Sequence, residues 1–434
     1  MISKFVIKDF KGYEGYNNFE FPGLTVVSGT NNSGKSSLLQ AIYLTTQNRS
    51  EDYTVLSLNE QLNLGKFSDV LFKEKSLDDS IEFSVRFSPA LLTKHGFKDL
   101  ELTFVYRSSS RFVHLPVSQN PILYSIEANY ILVPNTENDV QTLSFCLLDE
   151  ENNVYYQVNS PKDSGYVKLK GIVPDPVIFD SQERESQKLC SNEYGSIREL
   201  LELLSSSGKI KYIKAFRLEK LGGMNNLVSS QIGLSGEYTA EIIHSNWDNN
   251  SVHFELDDQV YNSFADIFDA WIKKILGSSY TVTCDFIEDH YKILVEDAGG
   301  RKFTLNQVGF GISQILPILT LILSSRPGDM LLIENPEVHL HPKLQGILGD
   351  LCIFAIKHDR RLVIETHSEH IINRIRLNIK LTPKLLDLVN IYFFDKKEDV
   401  STYEEIVITK DGKLEYWPEN FFDQTYYDML GLIK

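Results

Sequence analysis

Cysteine is scarce in this chain of 434 residues: four are present, Cys146, Cys190, Cys284 and Cys352. They lie far apart and form no C-x-x-C pair, which argues against a disulfide scaffold and a zinc site and leaves them as small core residues. Long apolar runs are missing as well. No stretch approaches the ~20 apolar residues of a membrane span. The opening residues Met1–Lys8 alternate like a strand and have no signal-peptide core, so a cytoplasmic protein is expected. Positive charge is in deficit, with 43 Lys and Arg against 59 Asp and Glu and a formal net charge of −16, so most of the surface would repel a nucleic acid. DNA contact would need a local basic patch. Lys209, Lys211, Lys214 and Arg217, or Arg374, Arg376 and Lys380, are the candidates, although each set also reads as the solvated face of a strand or helix. Nothing sustains three heptads, which excludes a long coiled-coil arm.

What is present begins with Gly29-Thr30-Asn31-Asn32-Ser33-Gly34-Lys35-Ser36, a fit to the phosphate-loop pattern GxxxxGK[ST]. The apolar run Leu24–Ser28 reads as a buried strand and Ser37–Tyr43 as the start of a helix, so the glycines fall in a strand-to-helix turn. There the orphan N–H groups of a helix start and the positive end of its dipole face an anion, and Gly34 lets the backbone approach without a Cβ. Asn31, Asn32, Ser33, Gly34, Lys35, Ser36 and Ser37 are the candidate ATP-binding residues. Lys35 would supply a point charge for the β- and γ-phosphates, and Ser36 a hydroxyl for Mg²⁺. An ordinary Gly/Asn/Ser turn is the bland alternative, but an eight-residue match in this context is specific.

At this length two lobes are a better expectation than one. Residues 1–75 read as a strand, a second strand around Phe19 to Phe21, the strand–loop–helix unit and a loop with Gln61. Residues 76–300 form a β-rich and helical inserted region. Its runs Ile81–Phe87, Leu100–Tyr106, Tyr124–Val133 and Val154–Val158 suggest an antiparallel meander. A helix near Ser196–Ser205, a strand Ile210–Phe216, a helix Phe264–Leu276 and strands Tyr280–Phe286 and Tyr291–Glu296 follow. Residues 301–380 alternate helix and strand like an α/β nucleotide-binding core, and 381–434 form a C-terminal extension. The site is therefore split between distant parts of the chain.

Met330–Glu334 is an apolar strand ending in an acid, the kind that orients Mg²⁺ beside a phosphate loop. The string continues as IENPEVHLHP, Leu362–Ser368 is a strand running into His367, and Val308–Gln314 opens an apolar helix. With the phosphate loop, these motifs resemble the ABC-type heads of the SMC/RecF and OLD (overcoming lysogenization defect) ATPases, over residues 1–75 and 300–376. Trp417–Gln424 is similar to a C-terminal extension of unknown function in a bacterial branch of these AAA-family proteins. The resemblance implies an α/β P-loop fold with an N-terminal antiparallel β subdomain and a mostly parallel core sheet with flanking helices. It makes Glu334 the Walker B acid, His367 a switch histidine, and Gly309, Gly311 and Ser313 a signature that caps the nucleotide of a second subunit. ATP would then join two heads. Gln61 stands where such heads place a glutamine that senses Mg²⁺, though an exposed loop glutamine is the simpler reading.

The pattern departs at Asn335, where these families place the glutamate that acts as general base. An amide orients water but takes no proton, so slow hydrolysis is expected, with Glu337 or His367 as candidate helpers and a gain in turnover on Asn335→Glu. The acids after Arg376 (Asp387, Asp395, Glu398, Asp399, Glu404, Glu405) do not form a nuclease pattern. Three functions follow. The first is an ATP-gated sensor or scaffold for a separate effector, a nuclease or toxin, in bacterial anti-phage defence; the second a RecF-like DNA-repair ATPase; the third an assembly protein holding ATP as a stable ligand. A transporter head is disfavoured because the loop and signature stand about 270 residues apart.

Overall fold

The computed structural model describes residues 2–50, 53–112, 114–115, 118–134, 139–150, 153–180, 187–188, 190–206, 208–217, 231–287, 290–418 and 421. The chain divides into two compact units, one of residues 1–21, 32–210 and 395–402, the other of 22–31, 211–394 and 403–434.

The first unit is built on one antiparallel sheet. Its path runs through Asn153–Asn159, Gln141–Glu150, Ile122–Leu132, Phe97–Arg107, Ser80–Phe87, Ile2–Phe10 and Tyr13–Glu20. Because Ile2–Phe10 pairs with Ser80–Phe87, with Phe5 opposite Val85, the N-terminal strands and the β-rich middle are one sheet and not two subdomains. Period-two alternation explains the pairing: in Phe97–Arg107 the side chains of Leu100, Leu102, Phe104 and Tyr106 are all buried. Phe83 packs between Phe5, Phe10 and Tyr106 with ring centroids 5.5–5.9 Å apart. Gln141–Glu150, a strand the sequence reading passed over, turns Leu143, Phe145 and Leu147 inward in the same way.

The second unit carries a sheet whose central strands are parallel. The loop strand Leu24–Gly29 lies between the switch strand Arg361–Glu365 and Val389–Lys397, and the acid strand Met330–Glu334 pairs with the outer side of the switch strand. Ile210–Ile213 lies beyond the acid strand. Leu331, Leu332, Ile333, Leu362, Val363, Ile364, Val26 and Val27 are fully buried, the unbroken apolar runs of a sheet covered on both faces.

Helices Phe264–Leu276, Phe310–Ser324, Pro342–Lys357 and Glu369–Leu381 share one core with these strands. That is why residues 211–300 belong with 301–380 and not with 76–210. The first of these helices shows how local the cause can be. The Ser263 hydroxyl caps the Asp266 N–H, residues 264, 267, 268, 271, 272 and 275 form the buried stripe, Lys273 and Lys274 sit in the last turn, and Gly277 ends the helix at φ 100°. No helix among the described residues is long and apolar enough to cross a membrane.

Trp271 is fully buried on that stripe, edge-on to Phe354 at 5.2 Å. Trp271→Ala is expected to cost about 3–5 kcal/mol, read as a lower urea midpoint for loss of far-UV circular dichroism; a shift under about 1 kcal/mol would show that this core can collapse around the gap.

Candidate functional site

Register places the acids. Glu334 pairs with Glu365, and Glu365 with Val27, so the acid and switch strands end level, opposite Val27 of the loop strand, at the edge of the sheet where α/β proteins place their ligands. The loop strand continues through Ser28 and Gly29, opposite Phe393 and Phe394. Gly29 has φ 139°, and a Cβ there would overlap the Phe394 carbonyl oxygen, which accepts the Thr30 N–H at 3.0 Å. Only glycine fits at the point where the loop leaves the sheet.

In the first unit the loop closes onto the helix Lys35–Leu44. Asn32 has φ 60° and Gly34 φ 101°, and Gly34 caps the helix with no side-chain hydrogen bond and no acid in the first turn. The Gly34 carbonyl is held by the Tyr13 hydroxyl at 2.8 Å, and a Cβ on Gly34 would come 2.5 Å from Ser401 Oγ. No side chain of the cap residue takes a first-turn N–H, and a helix start of this kind suits an anion. Lys35 is 4% exposed with its ammonium 3.4 Å from the buried Ser33 hydroxyl, Ser36 and Ser37 are half-buried, and Asn31 and Asn32 are exposed. These groups suit a phosphate chain.

The acid strand ends in a braced corner. The Glu334 carboxylate accepts hydrogen bonds from the Tyr212 hydroxyl and, at 3.2 Å, from the Ala215 N–H. Arg217 Nη2 donates to the main-chain oxygens of Glu334 at 2.6 Å and Asn335 at 3.3 Å. Arg217 is 2% exposed; burial pulls its pKa down to about 10 against the opposing pull of Glu337 and Glu334, and it stays charged at neutral pH.

Asn335 turns the chain with φ 39°, donates its N–H to the Glu365 carbonyl at 2.8 Å, and keeps a buried Oδ1 with no hydrogen-bond partner among the described residues. Glu337 accepts from the Thr366 hydroxyl at 2.8 Å and from the His367 N–H at 2.7 Å, so both its oxygens brace the switch loop while the His367 side chain stands exposed. The carboxylate of Glu334 and the orphaned acceptor of Asn335 fit a hydrated Mg²⁺ and a water.

The other candidate residues are placed as follows. Of the signature set, Gly309 is exposed with open space around it, whereas a Cβ on Gly311 would lie 3.3 Å from Leu340 and Ser313 is 3% exposed. Gly311 serves close helix packing, and the Ser313 hydroxyl is turned into this chain. Gln61 lies in an exposed loop of the first unit. In the first basic patch Lys211 pairs with the buried Asp329 at 3.0 Å and Arg217 is enclosed, while Lys209 and Lys214 are half-buried. In the second, Arg374 is spent on Asp350 at 2.7 and 2.8 Å, and Arg376 on the Gly412 carbonyl at 2.8 Å with its guanidinium over Trp417. The stretch Trp417–Gln424 lies partly outside the described residues. Tyr212 was missed because a tyrosine in an apolar strand carries no signal apart from core packing.

A glycine loop leading from a buried strand into a helix without a side-chain cap, and an acidic strand in register with that first strand through the switch strand, are the marks of a P-loop nucleotide-binding protein. A family model described as "AAA ATPase domain" matches residues 1–372, and the chain belongs to that family. A second, described as "Protein of unknown function (DUF3696)", matches residues 387–432. No curated protein matches the chain.

Among solved structures it is similar to an SMC head bound to the C-winged helix domain of ScpA, at 12% identity over 94% of this chain and 98% of that one, with a TM-score of 0.47. It is similar to an SMC head domain from Thermotoga maritima at 11% identity over 94% and 99%, TM-score 0.40. A third is a Smc head domain with an extended coiled coil bound to the C-terminal domain of ScpA derived from Pyrococcus furiosus, at 13% identity over 100% and 99%, TM-score 0.46.

The left-handed backbone at residue 335 suits Asn or Asp better than Glu. Asn335→Asp is therefore expected to raise phosphate release by about tenfold or more, since a well-placed general base contributes roughly 10²–10⁴-fold, and by more than Asn335→Glu. Release unchanged in both variants would show that another group already takes the proton.

Proposed function

We propose that this AAA ATPase-domain protein binds Mg²⁺-ATP, hydrolyses it slowly and pairs with a second copy when ATP is bound, acting as a sensor and regulatory scaffold for a separate effector. The observation that carries the reading is the level register of Glu334, Glu365 and Val27, with Asn335 and its orphaned acceptor just beyond. Lys35 and the first-turn N–H groups would hold the β- and γ-phosphates, and Ser36 and Glu334 would hold and orient Mg²⁺, the ion that neutralises charge developing on the transferred group. Asn335 accepts a hydrogen bond from the attacking water and aims it. An amide positions without removing a proton, which suits a clamp that stays closed for long times.

His367, exposed and fixed at its N–H by Glu337, is the residue that would sense the γ-phosphate. Gly309, with open space around it at the start of its helix, is the signature residue that would meet nucleotide held by a second copy. The effector, a nuclease or toxin on another polypeptide in bacterial anti-phage defence, is assigned by analogy with proteins of this architecture. A RecF-like role on duplex DNA is less well supported, since Lys211, Arg217, Arg374 and Arg376 are engaged within the chain.

Light scattering with and without Mg²⁺-ATP, on wild type and Lys35→Ala, alongside phosphate release, tests the reading. Assembly driven by ATP in wild type alone, with slow release, is expected. Assembly that ignores both nucleotide and Lys35 would remove the clamp. Nucleotide retained through purification with no measurable release would favour the stable-ligand assembly protein.

A further inference from the structure

The strand Ile210–Ile213 and the four residues after it run beside the acid strand and are tied to both its ends. At the start, the Lys211 ammonium pairs with Asp329 at 3.0 Å, both side chains nearly buried. At the finish, the Tyr212 hydroxyl and the Ala215 N–H each take one oxygen of the Glu334 carboxylate, and Arg217 Nη2 takes the main-chain oxygens of Glu334 and Asn335. Between them the Lys214 N–H is held by the Leu234 carbonyl at 2.8 Å. Strand pairing requires none of these side-chain bonds.

Two features separate this from ordinary packing. Each oxygen of a carboxylate has two lone-pair directions. One is taken on each oxygen of Glu334, so the group is fixed in orientation and still has an acceptor site on each oxygen. Arg217, meanwhile, is enclosed while its Nε and Nη1 have no hydrogen-bond partner among the described residues. A buried guanidinium left so under-used is poorly explained by stability alone.

We infer that residues 212–217 are a positioning strap for the metal-orienting carboxylate. Tyr212 and the Ala215 N–H hold the side chain of Glu334, and Arg217 holds the peptide joining it to Asn335, in the arrangement that receives the water shell of nucleotide-bound Mg²⁺. Tyr212 and Arg217 are positioning residues that act through Glu334 and Asn335. The inference rests on the reading of Glu334 as the Mg²⁺-orienting acid.

Binding of a fluorescent ATP analogue, measured in EDTA and then across a Mg²⁺ titration, separates the two. Tyr212→Phe is expected to keep wild-type affinity in EDTA and to need about 10- to 100-fold more Mg²⁺ for half-maximal effect, the usual cost of losing a hydrogen-bond partner of a metal-site group. Electron paramagnetic resonance of Mn²⁺ bound with the nucleotide should shift in parallel. A Mg²⁺ requirement equal to that of wild type overturns the strap and leaves the ATP reading standing. Failure of wild type to bind nucleotide, or binding indifferent to Lys35→Ala, overturns the ATP reading and the strap with it. If Tyr212→Phe also loses its affinity in EDTA, Arg217→Lys, which keeps the charge and loses the planar fork, is judged by the same criterion.

Discussion

Parallel pairing in a single register sets Glu334, Glu365 and Val27 in one row, and the acid corner of the second unit is arranged around that row. Side chains alternate faces along a strand, so a slip of one residue in any of these pairings would turn the acid to the opposite face of the sheet. The apolar runs that precede the row guard against such a slip. Leu331 to Ile333, Leu362 to Ile364 and Val26 and Val27 are fully buried, and moving them out of register would break the core on both sides of the sheet. Core packing and site geometry are therefore the same constraint, and the chemistry sits where the constraint ends.

Electrostatics then decides how the corner is filled. Glu334 and Glu337 meet one enclosed guanidinium, Arg217, so two acidic side chains share a single cation. Removing water from such groups costs several kcal/mol each, offset only by close pairing and hydrogen bonds. Every oxygen of the two carboxylates has a donor: Tyr212 and Ala215 for Glu334, Thr366 and His367 for Glu337. Glu337 was a candidate base in the sequence, yet its bonds make it a brace between the acid corner and the switch loop. Glu334 keeps a free acceptor direction on each oxygen, where a hydrated divalent cation would be favoured.

What the sequence disclosed was what is local. The phosphate loop is contiguous, and the helix Phe264–Leu276 carries its own cap, stripe and stop, so both could be read directly. Long-range pairing was not legible. Nothing in Ile2–Phe10 announces that it joins Ser80–Phe87, since an alternating strand can pair with any other, and so a single sheet was read as two pieces. Residues 211–300 show a related limit: Trp271 reveals a core-facing stripe without saying which core. Ser313 illustrates a third limit, because a serine near a glycine-rich helix start looks the same in sequence whether it faces outward or inward. The strap combined all three, its tyrosine reading as core, its arginine as surface, and its partners lying more than a hundred residues away.

Asn335 brings backbone and chemistry to one residue. The turn after the acid strand needs a left-handed residue whose N–H reaches the Glu365 carbonyl, and Asn adopts that conformation at lower cost than a longer side chain does. The same conformation leaves Oδ1 buried and without a partner, at a cost of about 1–3 kcal/mol for an unsatisfied polar atom. Asp would meet the backbone requirement equally well, so the turn alone does not explain an amide. An amide differs from Asp in adding no charge beside Glu334 and Glu337, where a third carboxylate would repel both and strain the pairing with Arg217. Its presence therefore favours a corner that adds no further charge to Glu334 and Glu337 over one tuned for rapid proton removal.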